Sequence, residues 1–179
     1  MPRSKAITGT IEFREEQRFR QLWLWTLLGF SVAGSTILLV VLGIDEFKQG
    51  KPAILNALAL VIGVHVINLA AFYYTRFEIR VTSTGIFYRW RPFFRSYSFV
   101  AWPEIQDAYV RKFSAMKYGY HKSRNYGSVH NVDGGKGIQL VLQNGRKVFI
   151  GSQRIAAIES AIGKFREVSV EPKQIALKL

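Results

Sequence analysis

Positions 22–44 read LWLWTLLGFSVAGSTILLVVLGI and positions 53–75 read AILNALALVIGVHVINLAAFYYT, two apolar runs of 23 residues each. The first holds no formal charge, and the second holds none unless His65 is protonated. As helices rising ~1.5 Å per residue they are ~34 Å long, enough to cross the ~30 Å hydrocarbon core of a bilayer. Neither carries the polar stripe that a core helix of a water-soluble domain shows over such a length. The eight residues between them, 45–52, are polar and hold two acids and two lysines. The sequence therefore predicts a membrane protein of α + β class, with an N-terminal transmembrane hairpin (22–44 and 53–75) ahead of a β-rich domain.

The charge on either side of the hairpin sets its expected orientation. Residues 1–21 carry five Lys/Arg against three Glu, and residues 76–179 carry 18 Lys/Arg against seven acids, within a total of +13 over 179 residues. Lys and Arg near span ends stay in the cytoplasm. Both termini are thus expected on the cytoplasmic side of the cell inner membrane, in a multi-pass protein with its hairpin tip outside. So basic a chain also raises nucleic acid as a partner. The positive-inside bias and an anionic leaflet account for the charge as well, and no nucleic-acid partner is expected. The chain has no cysteine, so disulfides and thiolate metal sites are excluded. The first run is longer than the apolar region of a cleavable signal and is expected to remain as an anchor.

The tail, 1–21, is expected to be partly helical over 11–21, with Glu16 four residues before Arg20 on one face, extending the first span. Trp23 and Trp25, and at the far end Phe72, Tyr73 and Tyr74, occupy interfacial depths. Gly29 and Ala33, and Ala59 and Gly63, are small residues four apart that allow close helix approach. Asn56, His65 and Asn68 are the strongly polar residues of the second span. Intramembrane ionisable groups often act as relays. With no acid in either span, a neutral His65 bonded to the neighbouring helix or to a second copy is the favoured reading over a transporter or enzyme.

Beyond Thr75 the period changes to two. Phe77, Ile79 and Val81 alternate with Glu78, Arg80 and Thr82, then Ile86, Tyr88 and Trp90 with Phe87, Arg89 and Arg91, which predicts a hairpin with one buried face. Pro92 ends its second strand. Residues 95–101 and 105–113 read as strands around Trp102 and Pro103. Residues 137–143 and 146–151 form a second hairpin across Asn144-Gly145, the pair a type I′ turn prefers. Ser152 is an expected N-cap for a last helix bearing Ile155, Ile158, Ile162 and Phe165. The domain so defined covers 76–168, and the C-terminal tail 169–179 carries no signal.

Residues 114–136 are too many for a structureless loop. An extra strand around 125–132 would shorten the gap. Lys117, His121, Lys122 and Arg124 alternate with Tyr118, Tyr120 and Tyr126, a mixture that fits a binding loop (cations for phosphate, tyrosines for stacking) as well as it fits a surface hairpin whose tyrosines cover the core. Positions 133–137, DGGKG, lack the Ser/Thr and following helix of a phosphate loop. His121, His130 and Asp133 have no regular ligand spacing. With no nucleophile–base pair and no paired carboxylates, neither an enzyme nor a cofactor is expected, and metal is not expected either.

Three stretches carry a resemblance: positions 13–25 (FREEQRFRQLWLW), 131–140 (NVDGGKGIQL) and 150–154 (IGSQR). With the hairpin, they make the chain similar to an uncharacterised family of small bacterial membrane proteins with two transmembrane helices followed by a PH-like (pleckstrin-homology-like) domain. Where that family has Pro and acids after Ser-Gln-Arg, this chain has Ile155-Ala156-Ala157. The resemblance implies a PH-like antiparallel β-barrel or sandwich with a C-terminal helix, and lipid headgroups or peptides as ligands.

The expected function is non-catalytic. The domain would bind anionic membrane lipids at the cytoplasmic face through Arg76, Arg80, Arg89, Arg91 and Arg95. The alternative is a protein-interaction or assembly module, meeting a membrane-protein partner or forming a homo-oligomer through the 114–136 loop and the helix faces.

Overall fold

The computed structural model describes residues 7–49, 52–113, 118–133 and 135–170. The chain divides into two units, Phe19–Thr75 and a second assembled from Met1–Arg18 with Arg76–Leu179.

In the first unit, the two apolar runs form α1 (Leu22–Lys48) and α2 (Pro52–Tyr74), both long and apolar enough to cross a membrane. Their apolar side chains point outward: Leu22 is 80% exposed, Leu42 74% and Ile67 70%. The helices pack tightly at Gly43, where an added Cβ would lie 2.0 Å from Ile54 Cδ1. A Cβ on Gly29 or Gly63 would meet no atom within 4 Å, so the expected close approach there is not made. The helix ends are tied locally. The Trp25 indole donates to the Phe19 carbonyl at 3.0 Å, and the Phe19 ring meets Phe72 edge-on at 5.7 Å.

The second unit has two sheets and a helix. Its first sheet contains β1 (Ile11–Arg18), β2 (Arg76–Thr82), β3 (Gly85–Arg91) and β4 (Ser98–Ala101), antiparallel in that order. A short 3₁₀ turn at Trp102–Glu104 leads into β5 (Ile105–Lys112). Next come β6 (Gly119–Ser123), β7 (Gly127–Asn131), β8 (Lys136–Leu142), β9 (Lys147–Ser152), α3 (Ile155–Gly163) and β10 (Ser169–Val170). The second sheet runs β10-β5-β8-β9-β7-β6, with the β10–β5 and β7–β9 pairs parallel. Phe77, Ile79, Ile86, Trp90, Ile138, Leu140 and Ile150 are core residues, and α3 adds Ile158, Ala161 and Ile162 where it packs on β1, β2 and β8.

The expected helix over 11–21 is instead a strand. Residues 11–18 pair with β2 from Ile11↔Thr82 to Arg18↔Arg76. Phe13, Glu15 and Gln17 point inward in strict alternation. Two of those three are polar, and distant groups satisfy them. Glu15 accepts the Ser152 hydroxyl at 2.6 Å and the Gln153 N–H at 2.8 Å, while the Gln17 amide donates to the Gly151 carbonyl at 2.8 Å. Those bonds tie β1 to the β9–α3 junction and outweigh the local helical preference of its glutamates.

Other expectations shift by smaller amounts. Of 95–101, only Ser98–Ala101 is strand. The turn after β8 is not type I′, because Asn144 lacks a positive φ and Gly145 alone has one, +76°. It is a three-residue loop closed by Gly145 N–H to Leu142 O and Leu142 N–H to Arg146 O, with the left-handed residue supplied by glycine. Ser152 ends β9 rather than capping α3, whose N-cap is Arg154. Phe165 falls beyond α3 and stacks on Trp102 at 5.3 Å. Part of the C-terminal tail forms β10, and residues 171–179 lie outside the described residues.

Replacing Glu15 by Ala strands the Ser152 hydroxyl and the Gln153 N–H. A loss of about 2 kcal/mol is expected, read as a lowered unfolding midpoint of the purified full chain in denaturant. An unchanged midpoint would mean that β1 is not held by these bonds.

Candidate functional site

Because β1, β2 and β3 are in register, the residues of one face form rows across the sheet. Arg18, Arg76 and Arg91 are aligned in one row, Glu16, Glu78 and Arg89 in the next, and Arg14 and Arg80 in a third, which ends at Phe87, buried under Tyr97 and Phe99. Six arginines thus share a face with two carboxylates. Alternation placed Arg80, Arg89 and Arg91 there from the sequence. Arg14 and Arg18 were missed with the strand that carries them; the signal was Phe13 and Phe19 bracketing polar residues at even spacing.

The two carboxylates organise this face. Glu16 binds Arg18 at 2.9 Å and Arg76 at 3.1 Å. Glu78, 5% exposed, binds Arg89 at 2.8 Å and Arg91 at 3.5 Å and accepts the Tyr97 hydroxyl. Burial pushes the Glu78 carboxyl up, but the Tyr97 bond and the two guanidiniums together hold it below its usual value. Burial and the adjacent Glu78 push the Tyr97 hydroxyl up, so it stays a donor at neutral pH. Arg89 also lies 4.1 Å over the Tyr97 ring and donates to the Arg95 carbonyl at 3.0 Å. It is therefore a structural residue of the face. Arg14, Arg91 and Arg95 are exposed, and Arg18, Arg76 and Arg80 are half-buried.

The 114–136 segment is divided by its own fold. Lys117 lies outside the described residues. β6 and β7 form a hairpin in which Tyr120 and Lys122 share one face with His130 and Ser128, while His121 and Val129 share the other. On the second face Tyr126 packs against Phe113 at 5.0 Å and Phe149 at 5.5 Å, under the Arg111 guanidinium at 4.1 Å. His121 lies 5.8 Å from Phe113. These residues cover a small apolar cluster rather than line a loop. Tyr118 is half-buried ahead of β6, and Arg124 is exposed at the hairpin turn.

Tyr120 lies 4.9 Å from the His130 ring at one end of a cleft that runs between β3–β4 and β7–β9. A neighbouring cavity of about 580 Å³, which shares Tyr88, Phe94, Ser98 and Ser128 with it, is also lined by Tyr97, Phe99, Arg146 and Val148. At the inner end of the cleft the Trp90 indole donates to His130 Nδ1 at 2.9 Å. Burial first, and His121 second, lower the His130 pKa to about 4. At neutral pH it is an uncharged acceptor. Among the described residues no three His, Asp or Glu side chains come together as a metal site.

In the helical unit, His65 Nε2 lies 2.7 Å from Ser35 Oγ, and the Ser35 hydroxyl is itself 2.7 Å from the Ser31 carbonyl. With its proton directed to Ser31, Ser35 accepts from His65 Nε2–H, a bond between the two helices. Asn68 donates to the Val64 carbonyl of its own helix at 2.9 Å, and Asn56 is exposed. The polar residues of α2 therefore do not converge on one site. No family model matches the chain, and comparison with curated proteins finds no match.

Two acid transitions follow. His130 binds fewer protons when folded, so stability falls as pH drops from about 6.5 to about 4, and His130→Asn, which cannot charge, flattens that window. Glu78, with its pKa lowered from 4.5, contributes stability fully present above that value and lost as pH falls through the lower folded value. Glu78→Gln should cost on the order of 2 kcal/mol at pH 7, a deficit that shrinks only as pH falls below 4.5. Thermal unfolding across pH 3–8 checks both windows; parallel curves for wild type and either variant would exclude the assignment.

Proposed function

We propose that the chain is an integral membrane protein whose two helices cross the bilayer and whose α + β unit, a PH-like domain, binds anionic lipid headgroups at the cytoplasmic face without catalysing a reaction. The observation that carries this reading is the row Arg18–Arg76–Arg91. Only Thr75 stands between Arg76 and the end of α2 at Tyr74, and three residues stand between Arg18 and the start of α1 at Leu22. Four residue steps span at most about 14 Å, so if the helices span the bilayer these guanidiniums are held within reach of the headgroup layer. Guanidinium is suited to this position because its planar fork binds phosphate oxygens in pairs.

Several features support the same reading. The outward apolar surface of α1 and α2 is costly in water and favourable in hydrocarbon. The four-strand meander β1–β4, the β5-β8-β9 meander and a following helix resemble a PH-like arrangement, with the hairpin inserted after its first strand and β6–β7 after its fifth. Glu16 and Glu78 leave a surplus of positive charge on the face while holding its arginines in fixed places, which lowers the entropic cost of meeting a phosphate.

The test uses the full chain in nanodiscs, measuring association of spin-labelled phosphatidylglycerol relative to phosphatidylcholine. Each of Arg76→Gln and Arg91→Gln should lower the preference by about fivefold, corresponding to ~1 kcal/mol per arginine, and high salt should lower it further. Equal association of the two lipids with wild type, insensitive to salt, would remove this function.

A further inference from the structure

The turn after β3, RPFFR at 91–95, is exposed at every residue, and two adjacent phenylalanines form its tip. Phe93 is 65% exposed and Phe94 55%. Moving such rings out of water is favourable, so an exposed pair is a substantial unused binding surface. The turn is also tied down. Phe94 N–H donates to the Trp90 carbonyl at 2.8 Å, and Arg89 donates to the Arg95 carbonyl at 3.0 Å. Trp90 is itself buried and hydrogen-bonded to His130. The two rings are therefore presented by an anchored turn.

Strand register gives the direction in which this turn points. Arg91, the last residue of β3, lies opposite Arg76, the first residue of β2, and Arg76 lies opposite Arg18, the last of β1. Because β2 and β3 are antiparallel, β3 leaves the sheet at the end where the chain passes to and from the apolar helices. Pro92 and Phe93 continue beyond that end, as Phe19 and Thr75 do on the neighbouring strands, while Phe94 turns back beside Tyr88 and Ser98 with more than half of its surface still exposed. The flanking Arg91 and Arg95 complete a basic–aromatic–basic pattern suited to a bilayer interface, where rings enter the acyl boundary and guanidiniums stay with phosphates.

We propose that the Arg91–Arg95 turn is a third membrane attachment, with Phe93 and Phe94 inserted into the headgroup–acyl boundary of the leaflet the helices leave. This rests on the bilayer-spanning reading above, but its driving force is apolar and does not require anionic lipid. Two covalent tethers on adjacent strands leave the domain free to rock about the line joining them. A third contact, one strand further along, removes that freedom and holds the arginine rows against the headgroups.

The absence of cysteine from the chain permits a direct test. Single cysteines at 93, 94 and, as a control in the β2–β3 turn at the opposite end of β3, 83 are spin-labelled in the full chain and reconstituted in nanodiscs, one set of neutral phosphatidylcholine and one with phosphatidylglycerol. Labels at 93 and 94 are expected to lose collisions with a water-soluble nickel chelate and keep those with oxygen in both lipids, while 83 stays open to the chelate. Chelate access at 93 and 94 equal to that at 83 overturns the proposal. Exclusion of both reagents also overturns it, since that marks a protein partner or second copy over the turn. Embedded labels together with no preference for phosphatidylglycerol would remove the lipid-headgroup function alone; water-exposed labels with that preference intact would remove the wedge alone.

Discussion

The α + β unit depends on one pairing, β1 against β2, between strands separated in sequence by the whole of Phe19–Thr75. Without β1, β2 would be a sheet edge with unpaired backbone groups, and α3 would lose part of the surface it packs on. The same pairing sets where the hairpin is attached.

On the outer face, charge and structure are built from the same groups. Glu16 and Glu78 each hold two arginines, so the arginines are not a loose cloud of surface charge. Exposed ion pairs of this kind contribute little to stability. Their effect is positional, keeping Arg18, Arg76 and Arg91 side by side. Glu78 differs because it is buried and receives the Tyr97 hydroxyl as well, which joins the basic face to the segment that carries β3 into β4. Arg89 is held within that network, and the exposed Arg14, Arg91 and Arg95 are left to face outward.

The parts of the fold that were legible in the sequence are those whose periodicity is local. The apolar runs, the β2–β3 and β8–β9 hairpins and the Ile158–Ile162 helix each declare themselves within a dozen residues or two. β1 does not, because two of its three inward positions are Glu15 and Gln17, whose partners lie beyond position 150. No window along the chain contains both the polar group and the group that satisfies it. Losing β1 also hid Arg14 and Arg18, so four of the six arginines of the face were legible and two were not. The tyrosines of 114–136 have an ambiguous composition, and only the register of β6 with β7 separates Tyr120, on the cleft side, from His121 on the other. Pro92 was legible as the end of a strand, but the two phenylalanines after it were passed over because their significance comes from where β3 ends relative to β1 and β2.

The insertion of the hairpin between two paired strands has a consequence for biogenesis. β1 leaves the ribosome first, yet its partner follows only after 57 residues of apolar hairpin and its flanks. At about 5–20 residues per second that interval is about 3–11 s, in which β1 has neither a ladder to join nor a partner for Glu15. Completion of the sheet must then wait for the chain to return through the second helix, and the bonds to Ser152 and Gln153 wait longer still. Synthesis of the apolar hairpin and closure of the sheet are therefore consecutive events in the life of one chain, and a chain arrested between them would carry an unclosed sheet for quality control to recognise.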